Sequence, residues 1–190
     1  MFALDLYARA GVADACLALQ DEAGVDVCLL LMALLAVRVK QRPLSCAEIQ
    51  AADDAIGPWR AEIVHPLRAM RRRLKSGPLP APSDATGRFR ETIKACELQA
   101  ERLQLEVLAA HFDTLPHGGS EALPVDGPLV ATARRVVEHC AARHPQAPGR
   151  GHAPAPKPAA RATRTAGLAP DLQRHLRHVA QQAAGVGLRQ

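Results

Sequence analysis

Apolar positions recur at helical spacing along most of the chain. Residues 3–9 read as a short helical turn ending at Gly11. In 12–23, Cys16, Leu19 and Ala23 share one stripe and Gly24 is a C-terminal stop. Asp26 suits the N-cap of a helix that is apolar all round and runs to Lys40, with Arg38 and Lys40 at the negative end of its dipole. Pro43 breaks it. Ser45 to Glu48 forms a capping box that opens a helix to about Ile56. Gly57 is expected to end that helix and Pro58 to start the next. Within 58–75, Trp59, Ile63, Leu67, Met70 and Leu74 step by 4, 4, 3 and 4, which predicts one apolar helix face toward the core, kinked at Pro66.

Residues 76–87 carry Gly77, Pro78, Pro80, Pro82 and Gly87 and read as a linker. Residues 88–113 predict a long helix. Its Phe89, Ile93, Cys96, Ala100, Leu103, Val107 and Ala110 alternate steps of 4 and 3, the spacing of a heptad seam. A Pro/Gly loop over 115–127 precedes a helix over 128–143, with Leu129, Ala133, Val136 and Cys140 aligned. Residues 144–170 are rich in Pro and poor in bulky apolar side chains. They bury too little to offset chain entropy and are expected to be disordered. Residues 171–184 predict a short terminal helix, marginal on its own.

Composition supports an all-helical chain. Hydrophobic residues make up 48% of it but aromatics only 3%, so Ala and Leu carry the apolar content. No Val/Ile-rich strand run alternates with helices, which excludes a parallel-sheet nucleotide fold. The expected architecture is a single compact helical bundle over 1–143 with a flexible basic tail over 144–190. The net charge of +5 supports that division. From residue 134 onward there are 10 basic and 2 acidic residues (+8), and before it 14 basic and 17 acidic (−3).

Five scattered cysteines form no C-x-x-C pair. The N-terminus shows no signal-peptide pattern, and the apolar run 25–37 is shorter than the ~20 residues that span a bilayer. Together these point to the cytoplasm and to no membrane span. Phosphate loops, G-x-G-x-x-G, G-x-S-x-G and H-E-x-x-H are all missing. Glu97 and Glu101 stand four apart without an E-x-x-H partner, which argues against a di-iron bundle. No catalytic residue, metal site or cofactor is expected.

One segment stands out chemically. On a helical projection the apolar stripe of 58–75 occupies an arc of about 80°, and Arg60, Arg68, Arg71, Arg72 and Lys75 share the next ~120°. Two readings follow. The cations form an exposed face for phosphate or carboxylate groups, or neighbouring helices supply partners, with Asp53, Asp54, Glu97 and Glu101 as candidates.

The run GPWRAEIVHPLRAMRRRLK resembles the signature AxWRxxVxxPLRxxRRxLK of an uncharacterised proteobacterial family, domain of unknown function number 2390. Trp59, Arg60, Pro66, Leu67, Arg68, Arg71, Arg72, Leu74 and Lys75 agree with it, while Gly57 and Ile63 replace Ala and Val. The N-terminal region is also similar, so the resemblance covers roughly residues 2–113. It implies an all-helical bacterial protein and supplies no activity. Trp59, Pro66, Leu67 and Leu74 are then structural elements of the motif. Arg60, Arg68, Arg71, Arg72 and Lys75 are its candidate partner-binding residues.

The functional expectation is a non-enzymatic binding or adaptor protein. Its basic kinked helix would engage an acidic protein surface or nucleic-acid phosphates. The scarcity of aromatics argues against base stacking. Alternatives are a self-associating structural protein whose arginines pair internally, and an unrecognised enzyme.

Overall fold

A computed structural model describes residues 2–118, 127–143 and 168–187, and within them every regular element is helical. The elements are α1 (Phe2–Tyr7), α2 (Val12–Ala23), α3 (Val27–Lys40), α4 (Cys46–Trp59), a π-helical turn (Arg60–Val64), α5 (His65–Arg73), α6 (Asp84–Asp113), α7 (Gly127–Arg143) and α8 (Pro170–Ala184). The all-α bundle expected from the sequence is the fold.

Helix α3 is the axis of the core. Its side chains are apolar on every face, and α1, α4, α6, α7 and α8 all pack on it. Leu29, Leu30, Ala33 and Leu34 are completely buried. Asp26 caps the helix by accepting from the Leu29 N–H at 2.9 Å. At the other end Gln41 takes a left-handed φ of 56°, and the buried Lys40 ammonium donates to the Asp113 carbonyl at 3.0 Å. The capping box at Ser45 forms as expected.

Three expectations are corrected. First, Gly57 does not end α4. The helix runs through Gly57 and Pro58 to Trp59 and continues through the π turn into α5. Pro66 has no N–H to offer, and its ring crowds the carbonyl four residues earlier. The wider π turn, closed by His65 N–H donating to the Arg60 carbonyl, absorbs that misfit.

Second, the two apolar stripes are not the buried faces. In 58–75 only Val64 is buried, while Trp59, Ile63 and Met70 are exposed and Leu67 and Leu74 are partly so. On α6 the buried positions are Ile93, Glu97, Ala100, Gln104, Leu108 and Phe112. Phe89, Cys96, Leu103, Val107 and Ala110 of the heptad seam are exposed. The reason is polar. Arginine and glutamate side chains fill the line of contact between α5 and α6, and the apolar edges turn outward.

Third, the core does not stop at Arg143. Helix α8 forms and packs on α2 and α7, burying Leu172, Leu176, Val179, Ala180, Ala183 and the following Val186. Arg38 donates to the carbonyls of Ala183 (2.5 Å), Ala184 (2.9 Å) and Val186 (3.1 Å), neutralising the negative end of α8. Arg9 adds a bond to the Gly185 carbonyl at 2.6 Å. A helix marginal in isolation is held by partners about 145–180 positions earlier in the chain. The expectation of disorder falls on residues 144–167, outside those described; Leu168 packs against the core.

Candidate functional site

The motif residues lie where the π turn and α5 meet α6 and the ends of α3, α4 and α7. Two charge networks converge there. The inner one centres on Arg60, whose side chain is 13% exposed and whose Nη1 bridges Asp53 (2.6 Å) and Asp26 (3.0 Å). Asp53, only 3% exposed, also receives Arg143 at 2.6 Å and His139 Nε2 at 2.9 Å. Asp26 takes a further bond from Gln104 Nε2 at 2.9 Å, so the cap of α3 also joins α6 to the π turn. Arg143 reaches Asp54 at 2.6 Å. Among the described residues Gln104 Oε1 is buried without a partner.

The outer network ties α5 to α6. Arg68 donates to Glu97 at 3.0 Å and Glu101 at 2.6 Å, and Arg71 grips both oxygens of Glu97. The Glu97 side chain is 5% exposed and sits between two guanidinium groups in forked geometry. Trp59 Nε1 donates to the Ala100 carbonyl at 3.0 Å and so anchors the indole while leaving part of its ring in solvent. A backbone carbonyl has two lone pairs, so Ala100 accepts the indole N–H as well as its intrahelical N–H, and the bond fixes Trp59 without disturbing α6.

Electrostatics follow the geometry. Burial pushes the Asp53 and Glu97 carboxyls up, but their arginine bonds win and hold both below the usual range. Glu101 differs: burial outweighs Arg68 and raises it. Burial opposes the charge of Arg60 and Arg68, yet their carboxylates still raise them above the ordinary arginine value. Burial pushes the Cys16 thiol up to about 12 and the Cys140 thiol to about 11, so both are inert packing groups.

The five candidate cations therefore divide. Arg60, Arg68 and Arg71 are engaged by carboxylates of the same chain. Arg72 and Lys75 are exposed and make no ion pair among the described residues, as is true of Arg73. Of the proposed acidic partners, Asp53, Glu97 and Glu101 meet the motif arginines, and Asp54 meets Arg143. Sequence reading missed Asp26 as an arginine partner, because its capping role already explained it. It also missed His139 and Arg143, which meet Asp53 of α4, and Gln104, which meets Asp26 at the cap of α3, since nothing in their local sequence refers to those partners. Trp59 and Pro66 act structurally, one as an anchor and the other beside the π turn. Leu67 and Leu74 are half-buried at the edge.

The arrangement is poor in free chemistry. Its carboxylates are committed to guanidinium groups, and no metal-holding cluster of His, Cys, Asp or Glu occurs among the described residues. No described helix is long and apolar enough to cross a membrane. The family described as a protein of unknown function, DUF2390, matches residues 1–108, which includes both motif networks except for His139 and Arg143. Neither the curated proteins nor the solved structures give a match.

Proposed function

The chain belongs to this DUF2390 family of unknown function, and from that premise we propose that it is a non-enzymatic binding protein whose recognition surface is the α5–α6 hairpin. One observation carries the reading. The ion pairs sit on the inside of the hairpin, while its outside presents large apolar side chains beside unpaired cations. Arg60, Arg68 and Arg71 are folding elements that hold the hairpin in shape. Arg72, Arg73 and Lys75, at the outer end, select an anionic protein surface, and the apolar edge beside them supplies the contact area. Five free thiols support residence in a reducing compartment, the cytoplasm.

The test is affinity capture with full-length tagged protein after cross-linking in cells, run in parallel with Leu103→Glu and with Arg72→Gln/Arg73→Gln/Lys75→Gln. Loss of the same captured protein in both variants, with unchanged circular dichroism, supports the reading. Equal capture by all three proteins contradicts it.

A further inference from the structure

The hairpin has two edges. The Arg68–Glu101 pair closes one, and the Trp59–Ala100 bond marks the other. In antiparallel helices, side chains turned the same way from the line of contact emerge on the same side. Phe89, Cys96, Leu103 and Val107 turn from the Ile93–Glu97 line toward the Ala100 side, and Ile63 and Met70 turn likewise on the facing helix. One continuous apolar edge results. Its exposures are 51% for Phe89, 40% for Leu103, 46% for Val107, 38% for Ile63, 46% for Met70 and 38% for Trp59.

Four features identify what fits this edge. Phe89, Cys96, Leu103 and Ala110 recur every seven residues, the period at which one helix mates with another. Six large side chains expose on the order of 500 Å² of mostly apolar surface, at the upper end for a monomer and near the apolar share of the ~800 Å² one partner buries in a stable dimer.

The third feature is charge. Residues 65–95, the outer half of the hairpin, hold eight basic and two acidic residues, a net of +6, while its inner half, residues 59–64 and 96–113, holds two basic and five acidic, a net of −3. At the inner half Glu62, Glu106 and Asp113 are exposed, against the single exposed cation Arg102 among the described residues there. The fourth is composition. Segment 144–167 of this chain has no Leu, Ile, Val, Met or aromatic residue and is itself basic, so it has nothing to seat there.

We propose that a second copy of this chain covers the apolar edge, with the two α6 helices antiparallel about a two-fold axis near their middle. Each basic outer half then faces the acidic inner half of its mate, whereas a parallel arrangement would set like charges together. This rests on the reading of the hairpin as a binding surface, and it names the partner.

The full chain is weighed by light scattering and sedimentation at concentrations from about 1 to 100 µM. A mass twice the 20.3 kDa of the chain is expected. Leu103→Glu should weaken the dimer at least about tenfold with its helical circular dichroism unchanged, because Leu103 is exposed in the single copy. Glu106→Lys, at an exposed position of the inner half, should weaken it as well. Orientation is read from disulfide formation in a Cys46→Ser/Cys96→Ser background. A mixture of Thr92→Cys and Ala110→Cys chains should cross-link with each other rather than each with itself.

A wild-type monomer at 100 µM overturns the proposal, as does a dimer indifferent to Leu103→Glu or a dominant 92–92 cross-link. A monomer that co-purifies with nucleic acid overturns it in favour of phosphate binding. A monomer that still captures another protein through Leu103 leaves the hairpin reading standing and removes only the second copy as its partner.

Discussion

Arg60→Gln removes the cation at the centre of the inner network and keeps most of the side-chain volume. In the native protein its guanidinium makes two charge-assisted bonds, to Asp53 at 2.6 Å and Asp26 at 3.0 Å, each worth about 1.5–3 kcal/mol. The substitution also spares the cost of burying the guanidinium, and neither carboxylate is left bare. Asp53 keeps His139 and Arg143, and Asp26 keeps Gln104 and the Leu29 N–H. Removing one member of a buried pair costs about 3–5 kcal/mol, and the surviving partners place this case near ~3 kcal/mol. For a chain of this size that is a fall of about 6–12 °C in melting temperature. Urea unfolding followed by circular dichroism measures it, with Arg72→Gln as the exposed control expected within about 0.5 kcal/mol of wild type. If Arg60→Gln and Arg72→Gln unfold at the same urea concentration, the inner network is not a folding element.

Three further outcomes follow from the same geometry. The Arg42 bond holds Glu48 at about 2, and arginines hold Asp53 and Glu97 low, so these groups bind fewer protons folded than unfolded. Their contribution is complete above the unfolded value of ~4 and is lost as pH falls toward ~2; Glu101, raised by burial, acts in the opposite sense, and urea midpoints across this range, in wild type and Arg42→Gln, check the sign. Leu176→Ala, at a fully buried position of α8, should cost about 2–4 kcal/mol by urea melts, and truncation after residue 143 should abolish cooperative unfolding; an unchanged melting temperature would show that α8 does not dock. In a thiol titration at pH 8, Cys46 should react at once and Cys16 and Cys140 only after unfolding, while the exposed Cys96 slows as protein concentration rises and the dimer forms.

Helix positions were legible because local rules govern them. The Asp26 cap, the Ser45 capping box and the apolar run of α3 lie within a few residues of the effects they produce. Three of the four carboxylates that meet the motif arginines, Asp53, Glu97 and Glu101, were legible as candidates; the fourth, Asp26, was hidden behind its role as a helix cap. Which face of each helix is buried was not. Periodicity locates an apolar stripe but cannot say whether a neighbour covers it, and at α5 and α6 the guanidinium–carboxylate seam took the inside position. The docking of α8 was hidden for a related reason. Its own pattern is short, and the groups that stabilise it, Arg38, Arg9 and the stripe of α2, lie more than a hundred residues away. The π turn escaped because Pro66 signals a disturbance without specifying whether the helix breaks, kinks or widens.

The central claim is that the motif arginines face inward, and a double-mutant cycle between Arg68 and Glu97 tests it most directly. Urea unfolding of Arg68→Gln, Glu97→Gln and the double variant gives the coupling energy between the two side chains. A bond of 3.0 Å at a nearly buried carboxylate should give about 2 kcal/mol of coupling, with the double variant less destabilised than the sum of the singles. Additivity within about 0.3–0.5 kcal/mol would contradict it and return Arg68 to the surface as a contact for an external anion.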